Sequence, residues 1–357
     1  MRTAAFQNRS QEGIALIMVL WVMVLLAAMA TEFSYSMRVE VNSTRNFKEE
    51  MECAFLAESG IELAMAEILE IADFHALDEE GQLVFFSKEK EEEKEGKVVE
   101  KPKEPGEKLV LKAPNRTKIP LGAGTLSYWI VDENRKISIN VAPKELLEKT
   151  LEEGGVSDNK LRDSISDAIL DWIDENDLHR LNGVEKDYYE KLPDPYSCKN
   201  AAIDNIEEML WIKDVKPEII FGTDYVKSRL AWNTTEEEEK DSEKKNKMKG
   251  IYSLITVENT GNINLNTASE RVLKILFPQE EAERILTQRL EKGYYDQSKS
   301  TYFTIYSLGE MADSGIKRLI VATVKLTPKD AKTGIMITYW NDNEDPEKYY
   351  DLLNQGT

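Results

Sequence analysis

From Ile14 to Ala30 every residue is apolar, IALIMVLWVMVLLAAMA. At about 1.5 Å rise per residue such a run sits at the lower limit for crossing a bilayer core of about 30 Å, and Thr31 to Phe33 add the missing turn. No helix breaker follows it: between Phe33 and Ala72 there is no Pro, and the one Gly is Gly60. Met51, Ala54, Phe55, Ile61, Ala64, Met65, Ile68 and Ala72 recur at helical spacing among Glu and Lys. The pattern predicts one helix over residues 14–72, membrane-spanning over 14–31 and amphipathic beyond, about 85 Å long.

Further on the period changes. Alternation and β-propensity predict a strand over Leu126–Val131 and three more at Tyr302–Met311, Ile316–Leu326 and Ile335–Trp340. Helical segments run from about Pro143 to Gly222 and from Ala268 to about Leu290. Two tracts, residues 88–108 and 234–249, are charged with almost no apolar content and read as solvated disordered loops. A weak repeat relates the stretch from Ile137 to that from Ile263: a short strand ends at an Asn and a helix follows, with Thr267 and Glu270 as a capping box in the second copy. Such units resemble helix-hairpin-helix modules, but the glycines that would expose backbone N–H groups to DNA are missing around Pro278–Glu281.

Composition narrows the function. The 357 residues carry 46 Lys and Arg against 66 Asp and Glu, a net charge of −20, which opposes binding to nucleic acid. Two Cys (Cys53 and Cys198) and two His (His75 and His179) exclude a disulfide scaffold and a His-rich metal centre, and they leave a Ser-His-Asp hydrolase few candidates. Export permits a Cys53–Cys198 disulfide. Trp129, Trp172 and Trp211 read as core anchors. Arg2 and Arg9 before the apolar run predict a cytoplasmic start and an exported remainder.

The apolar run has three readings: a secretory signal ending at Ala28-Met29-Ala30, a plain anchor, or a prepilin leader of residues 1–13 cut between Gly13 and Ile14. A secretory signal does not merge into a long helix, and that favours the leader. EGIALIMVLWVMVLLAAMATEFSYSMRVE followed by AFLAESGIELA resembles the N-terminus of a type II secretion minor pseudopilin of the K class. DENRKISIN, AILDWIDENDLHRLNGVEKDYYE and GNINLNTA match that class as well. Most pseudopilins carry a Glu five residues after the cleaved Gly; here Met18 stands there, as in the K class. The resemblance implies an α+β fold, a long N-terminal helix packed on a pilin-like antiparallel β-sheet interrupted by a large α-helical insertion. The β-domain parts would be residues 73–135 and 300–357, with the insertion at 136–299. It also implies a non-enzymatic protein of the inner membrane, its globular domain in the periplasm, at the pseudopilus tip. Implied partners are other minor pseudopilins, the major pseudopilin, the prepilin peptidase and the inner-membrane secretion platform. The rivals are a membrane-anchored calcium-dependent periplasmic hydrolase, for which no nucleophile–base pair stands out, and a DNA receptor.

One stretch is a site candidate. In Asp163–Asp174 the apolar residues share one helix face, while Asp163, Asp167, Asp171 and Asp174 share the opposite one. Like charges four apart, and acids at a helix C-terminus, are unfavourable unless something offsets them. Asp174 to Glu185 spans twelve residues with acids at both ends, yet His179 stands where an EF-hand needs Gly. Oxygen ligands without His or Cys suit Ca²⁺. Asp174, Asp177 and Glu185 are the candidate ligands, and the resemblance implies calcium in this region. The alternative is a solvated acidic face with Asn182-Gly183 as a turn.

Overall fold

The structure, a computed structural model, describes residues 9–70, 72–87, 108–230, 247–258, 261–327 and 334–346. The two tracts expected as loops lie outside the described residues except at their margins. There Lys108 pairs with Glu79 (2.8 Å), and the Met248 and Lys249 amides donate to Thr223 Oγ1 (3.0 Å) and Gly154 O (2.9 Å).

The absence of breakers has its expected effect: α1 runs unbroken over 60 residues, Arg9–Ile68. It stops short of Ala72 because the chain is drawn into a hairpin, β1 (Phe74–Leu77) against β2 (Leu83–Phe86), whose first bond runs from Asp73 N to Phe86 O (2.6 Å). Every residue from Ile14 to Lys48 is exposed. Beyond them the buried stripe is Cys53, Leu56, Ala57, Gly60, Ile61, Ala64 and Ile68, whereas Met51 and Phe55 point outward. The expected stripe holds at Ile61, Ala64 and Ile68 and fails at Met51 and Phe55, where Cys53, Leu56 and Ala57 take the buried side. Small residues among them, Cys53, Ala57, Gly60 and Ala64, let the two backbones approach closely.

That sheet has five antiparallel strands in the order β3 (Ile119–Leu121), β4 (Gly124–Asp132), β7 (Tyr302–Met311), β8 (Lys317–Leu326) and β9 (Ile335–Glu344). Alternation sends Leu126, Tyr128, Ile130, Phe303, Ile305, Ile320, Ala322 and Val324 onto α1. Glycines mark the closest approach. A Cβ on Gly309 would meet the Cys53 carbonyl oxygen, and one on Gly60 would meet Ser307 Oγ. At the top of the hairpin, Arg116 is 2 % exposed and clamps Glu67 of α1 with both Nε and Nη2 while Nη2 also reaches Leu83 O (2.6 Å).

Between β4 and β7 the chain makes its helical detour. It comprises β5 (Ile137–Ser138), α2 (Lys144–Gly154), α3 (Asn159–Ile173), α4 (Lys186–Tyr189), a 3₁₀ turn at Ile206–Trp211, α5 (Pro217–Phe221), α6 (Thr223–Leu230), β6 (Ile255–Thr256), α7 (Glu270–Leu276) and α8 (Gln279–Lys292). It has a core of its own, including Leu147, Leu151, Ile165, Ile169, Trp172, Tyr189, Met209, Ile219, Leu273 and Ile285. Trp172 is a core anchor as expected. Trp211 is 59 % exposed, and Trp129 lies on the sheet face turned away from α1. Ile137 and Ser138 pair in parallel with Ile255 and Thr256, so the second strand of the expected repeat lies earlier in the chain than Ile263. The expected capping box does not form: Ser269 caps α7 through its bond from Val272 N, and Thr267 Oγ1 instead donates to Asp132.

Asp132 is the root of the detour. One oxygen accepts from Ser300 Oγ (2.6 Å), Thr267 Oγ1 (2.5 Å) and Asn264 Nδ2 (3.1 Å), the other from Asn134 N (2.8 Å), and burial pushes this carboxyl above its usual range. Ser, His and Asp thus meet, but not as a nucleophile and base. Ser300 Oγ is committed to Asp132, His75 Nδ1 accepts the Ser300 backbone N–H (2.9 Å), and all three are buried. His75 packs edge-on to Phe85 and Phe303, and its burial, with Lys299 nearby, holds the imidazole down at about 4. The folded protein refuses a proton that the unfolded chain accepts. This contribution is intact above the unfolded value of 6.5 and is lost as pH falls towards 4. Over that window it amounts to about 3 kcal/mol at roughly 1.4 kcal/mol per pH unit. Melting temperature should therefore fall more steeply between about pH 7 and pH 4.5 for wild type than for His75→Gln, whose amide still accepts from Ser300; parallel slopes would refute the assignment.

Candidate functional site

Two features of the chain face outward with chemistry to offer: the apolar helix and the acidic end of α3. On the helix, Gly13 and Ile14 are continuous with the rest of α1, and Met18 is 63 % exposed. Among the described residues the segment beginning at Ile14 is the one helix long and apolar enough to cross a membrane, and none of its most apolar window is buried. A single apolar helix followed by a globular domain is the form of a membrane anchor.

At the end of α3 the acidic residues do not form a solvated face. Asp167 and Asp171 are 2 % and 0 % exposed, because the loop after the helix folds back over them. Asn182 donates to Asp167 through its amide N (3.2 Å) and Nδ2 (3.0 Å), and Lys144 of α2 pairs with the same carboxylate (2.8 Å). The Arg180 backbone N–H donates to both oxygens of Asp171 (3.1 and 3.0 Å), and its guanidinium Nη1 bridges Asp171 Oδ1 (2.7 Å) and Asp174 Oδ2 (2.6 Å). Gly183 lies so close that a Cβ there would collide with the Asp171 carboxylate. The offsetting charges are thus Lys144 for Asp167 and Arg180 for Asp171 and Asp174. Arg180 is the only Lys or Arg between Arg162 and Lys186, but nothing in the sequence says that the chain brings it back onto α3.

Asp174, Asp177 and Glu185 lie round this loop. Asp174 is the C-cap of α3, and its Oδ1 accepts from the Asn176 backbone (3.2 Å) and side chain (2.7 Å). Asp177 Oδ1 accepts from Asn200 Nδ2 (3.0 Å), and Asn200 takes a left-handed backbone with φ of 50°. Glu185 is 5 % exposed, and beyond the weak donor of the adjoining Cys198 thiol its oxygens meet no hydrogen-bond partner; Asn200 Oδ1 is likewise buried and unpartnered. Burial, then the charges of Asp171 and Asp174, push the Glu185 carboxyl up, and the adjoining Cys198 thiol is pushed up by burial to about 11. A buried carboxylate without a partner is costly, and so is a buried carbonyl oxygen without one. The set is oxygen-rich and short of donors, the ligand type a hard cation takes, but the side chains are not set for one. Among the described residues, no three His, Cys, Asp or Glu side chains are arranged as ligands of one ion; Arg180 stands between the carboxylates instead. Cys198 and Cys53 belong to different cores and both are free thiols, so the permitted disulfide is not made.

Residues 129–221, from β4 through this acidic loop to the end of α5, match the family model for type II secretion system protein K. The matched segment makes up 93 of the 357 residues. The match agrees with the resemblance to the K-class minor pseudopilins over that segment, and the α+β architecture expected with it is the one the structure has. The acidic loop lies inside the protein K segment, while α1 and β7–β9 lie outside it. No curated protein sequence matches the chain. Among solved structures it is similar to a chain of "The Crystal Structure of the GspK-GspI-GspJ complex from enterotoxigenic Escherichia coli Type 2 Secretion System", at 14 % identity and a TM-score of 0.49, over 86 % of this chain and 100 % of that one.

Proposed function

We propose that this protein is the minor pseudopilin at the tip of the type II secretion pseudopilus, where it joins other minor pseudopilins to start assembly and support protein export. The observation that carries the reading is the protein K match across residues 129–221. The chain is anchored in the inner membrane with its globular domain in the periplasm, and it is matured by the prepilin peptidase between Gly13 and Ile14. Met18 stands where other pseudopilins present a carboxylate to the terminal ammonium of a neighbour. A subunit without that carboxylate suits the end of a filament, since an unpaired charge in an apolar bundle is expensive. The bulky insertion adds to this by leaving no room above it for another subunit. The role requires no catalysis.

Ca²⁺ belongs to the same reading. Asp174, Asp177 and Glu185 would hold it, with Asn200 Oδ1 as a neutral oxygen. Bound there, the ion would supply positive charge to these groups.

The assembly is tested by co-expression. The detergent-extracted chain should co-purify with the other minor pseudopilins of its secretion system as a small complex holding one copy of this protein. Long filaments formed by this chain alone would overturn the tip assignment.

A further inference from the structure

On the side of β4 away from β7 the strand pairing ends early. β3 covers β4 only over Gly124–Leu126, and the Arg116 carbonyl takes the Tyr128 N–H (2.9 Å). Past that point the β1–β2 hairpin stands beside β4 without joining the sheet, and a cavity of about 70 Å³ remains, lined by Leu77, Gln82, Leu83, Trp129 and Arg135 among others. Two donors of this lining have nothing to donate to. The Trp129 Nε1–H is buried without a partner. The Arg135 guanidinium, with five N–H groups to offer, makes no hydrogen bond or ion pair among the described residues. The acids beside it in sequence are engaged elsewhere. Asp132 accepts from Ser300, Thr267, Asn264 and Asn134, while Glu133 holds Lys136 Nζ (2.9 and 3.2 Å) and Thr304 Oγ1 (2.9 Å). Burial lowers the Arg135 guanidinium from its ordinary value, and the charges of Asp132 and Glu133 raise it only in part. A second guanidinium lies close enough to feel it: Arg289 donates to Ala268 O (2.7 Å), and burial, then the charge of Arg135, lowers it to about 10.

We propose that this cavity binds a small oxyanion, the carboxylate of a short organic acid or inorganic phosphate, held by the Arg135 guanidinium and the Trp129 indole N–H. A guanidinium presents paired N–H groups that match two oxygens of either ion, and the indole supplies a further donor. Both donors are otherwise left unsatisfied, so the ligand recovers free energy that the empty site forfeits. Arg289 adds positive field in a chain whose net charge is −20. The volume admits an ion of a few atoms and excludes a nucleotide or a tricarboxylate. Glu80, an exposed acid of the same lining, opposes an anion and keeps the site weak; with so few ligand atoms a Kd of about 10⁻³ M is expected. An occupant joins the hairpin to β4 beside Asp132, so it stabilises the seam between sheet and insertion. The inference is independent of the secretion and calcium readings.

The test uses the full chain in detergent at pH 7, with ionic strength held constant by chloride so that screening does not vary. Acetate, inorganic phosphate and, as an oversized control, citrate are titrated while melting temperature and tryptophan emission are followed. Wild type should melt higher in acetate, phosphate or both, in a saturable manner, and not in citrate. The ion that acts identifies the source. Arg135→Gln should weaken that ion about tenfold or more, and Arg135→Lys less, because an ammonium keeps the charge and loses the fork. Trp129→Phe keeps the ring and loses the N–H; it should weaken binding about three- to tenfold and abolish the change in emission. Glu80→Gln should tighten it. Arg284→Gln, an exposed cation paired with Glu281, should bind as wild type does. If Arg135→Gln does not fold, Trp129→Phe decides. A wild type that melts alike in all the salts would overturn the site. A shift of equal size in wild type, Arg135→Gln and Trp129→Phe would mean an adventitious ion only, and would overturn it as well.

Discussion

Gly309→Val should lift α1 from the sheet and cost about 3 kcal/mol or more, a large part of the stability of an ordinary domain. The first atom a side chain at 309 would strike is the main-chain oxygen of Cys53, followed by Leu56 Cβ at 2.9 Å and Ala57 N at 3.0 Å. A flexible side chain could turn aside; a helix backbone cannot. Relief requires α1 to move bodily, and moving it strips Leu56, Ile61 and Ile68 from Leu126, Ile130, Phe303 and Ile305. Truncating Leu56 to Ala in the same protein should give no rescue, since the obstacle is the carbonyl. Urea unfolding of the detergent-solubilised protein measures the loss. A midpoint within error of wild type would mean that the helix and sheet are not packed at this distance.

The second large effect is at Asp132. Asp132→Ala removes the acceptor of Ser300 Oγ, Thr267 Oγ1, Asn264 Nδ2 and Asn134 N at once, all within the buried seam between sheet and insertion. Each orphaned buried donor costs about 1–3 kcal/mol, and relaxation recovers part of it, so a net loss of about 3–5 kcal/mol is expected. Asp132→Asn should lose less, because its carbonyl oxygen still accepts. The diagnostic feature is cooperativity. With the shared knot gone, the sheet core and the insertion core should melt as two transitions where wild type shows one. A single transition, shifted by less than about 1 kcal/mol, would refute the role given to Asp132.

Long periodic segments announced themselves. Both ends of β7 were legible, and β4 and β8 differed from expectation by a residue or two, because alternation between two buried or half-buried faces is a strong signal. β9 ran on to Glu344, past Trp340, because its last residues are polar at an exposed edge and carry no alternation of hydrophobicity. The β1–β2 hairpin, β3 and the two-residue β5–β6 bridge were missed; elements that short are set by their tertiary partners. At the site, Asp174, Asp177 and Glu185 lie round one loop, but their side chains are not arranged as ligands of one ion among the described residues. A helical wheel gives only the angle at which Asp167 and Asp171 leave the helix. It cannot say that residues 180–183 fold back over them, so neither the cation site nor the alternative of a solvated face anticipated that Asp167 and Asp171 are buried under the chain itself. Arg180 and Asn200 were overlooked because their roles depend on that return.

The root of the insertion has a mechanical consequence. The chain leaves the sheet after Asp132 and re-enters at Tyr302, and Asp132 lies opposite Phe303 in the β4–β7 register. Both tethers of the insertion therefore emerge at the same end of one strand pair. A force pulling the insertion away from α1 would load that pair end-on, opening its hydrogen bonds one after another instead of shearing them together, which is the weaker direction for any ladder. The Asp132–Ser300–Asn264 knot sits at the point where such a tear would begin. A load along α1 would instead slide the helix over the sheet, and the close contacts of Gly309 with the Cys53 backbone and of Gly60 with Ser307 leave no slack for it to move.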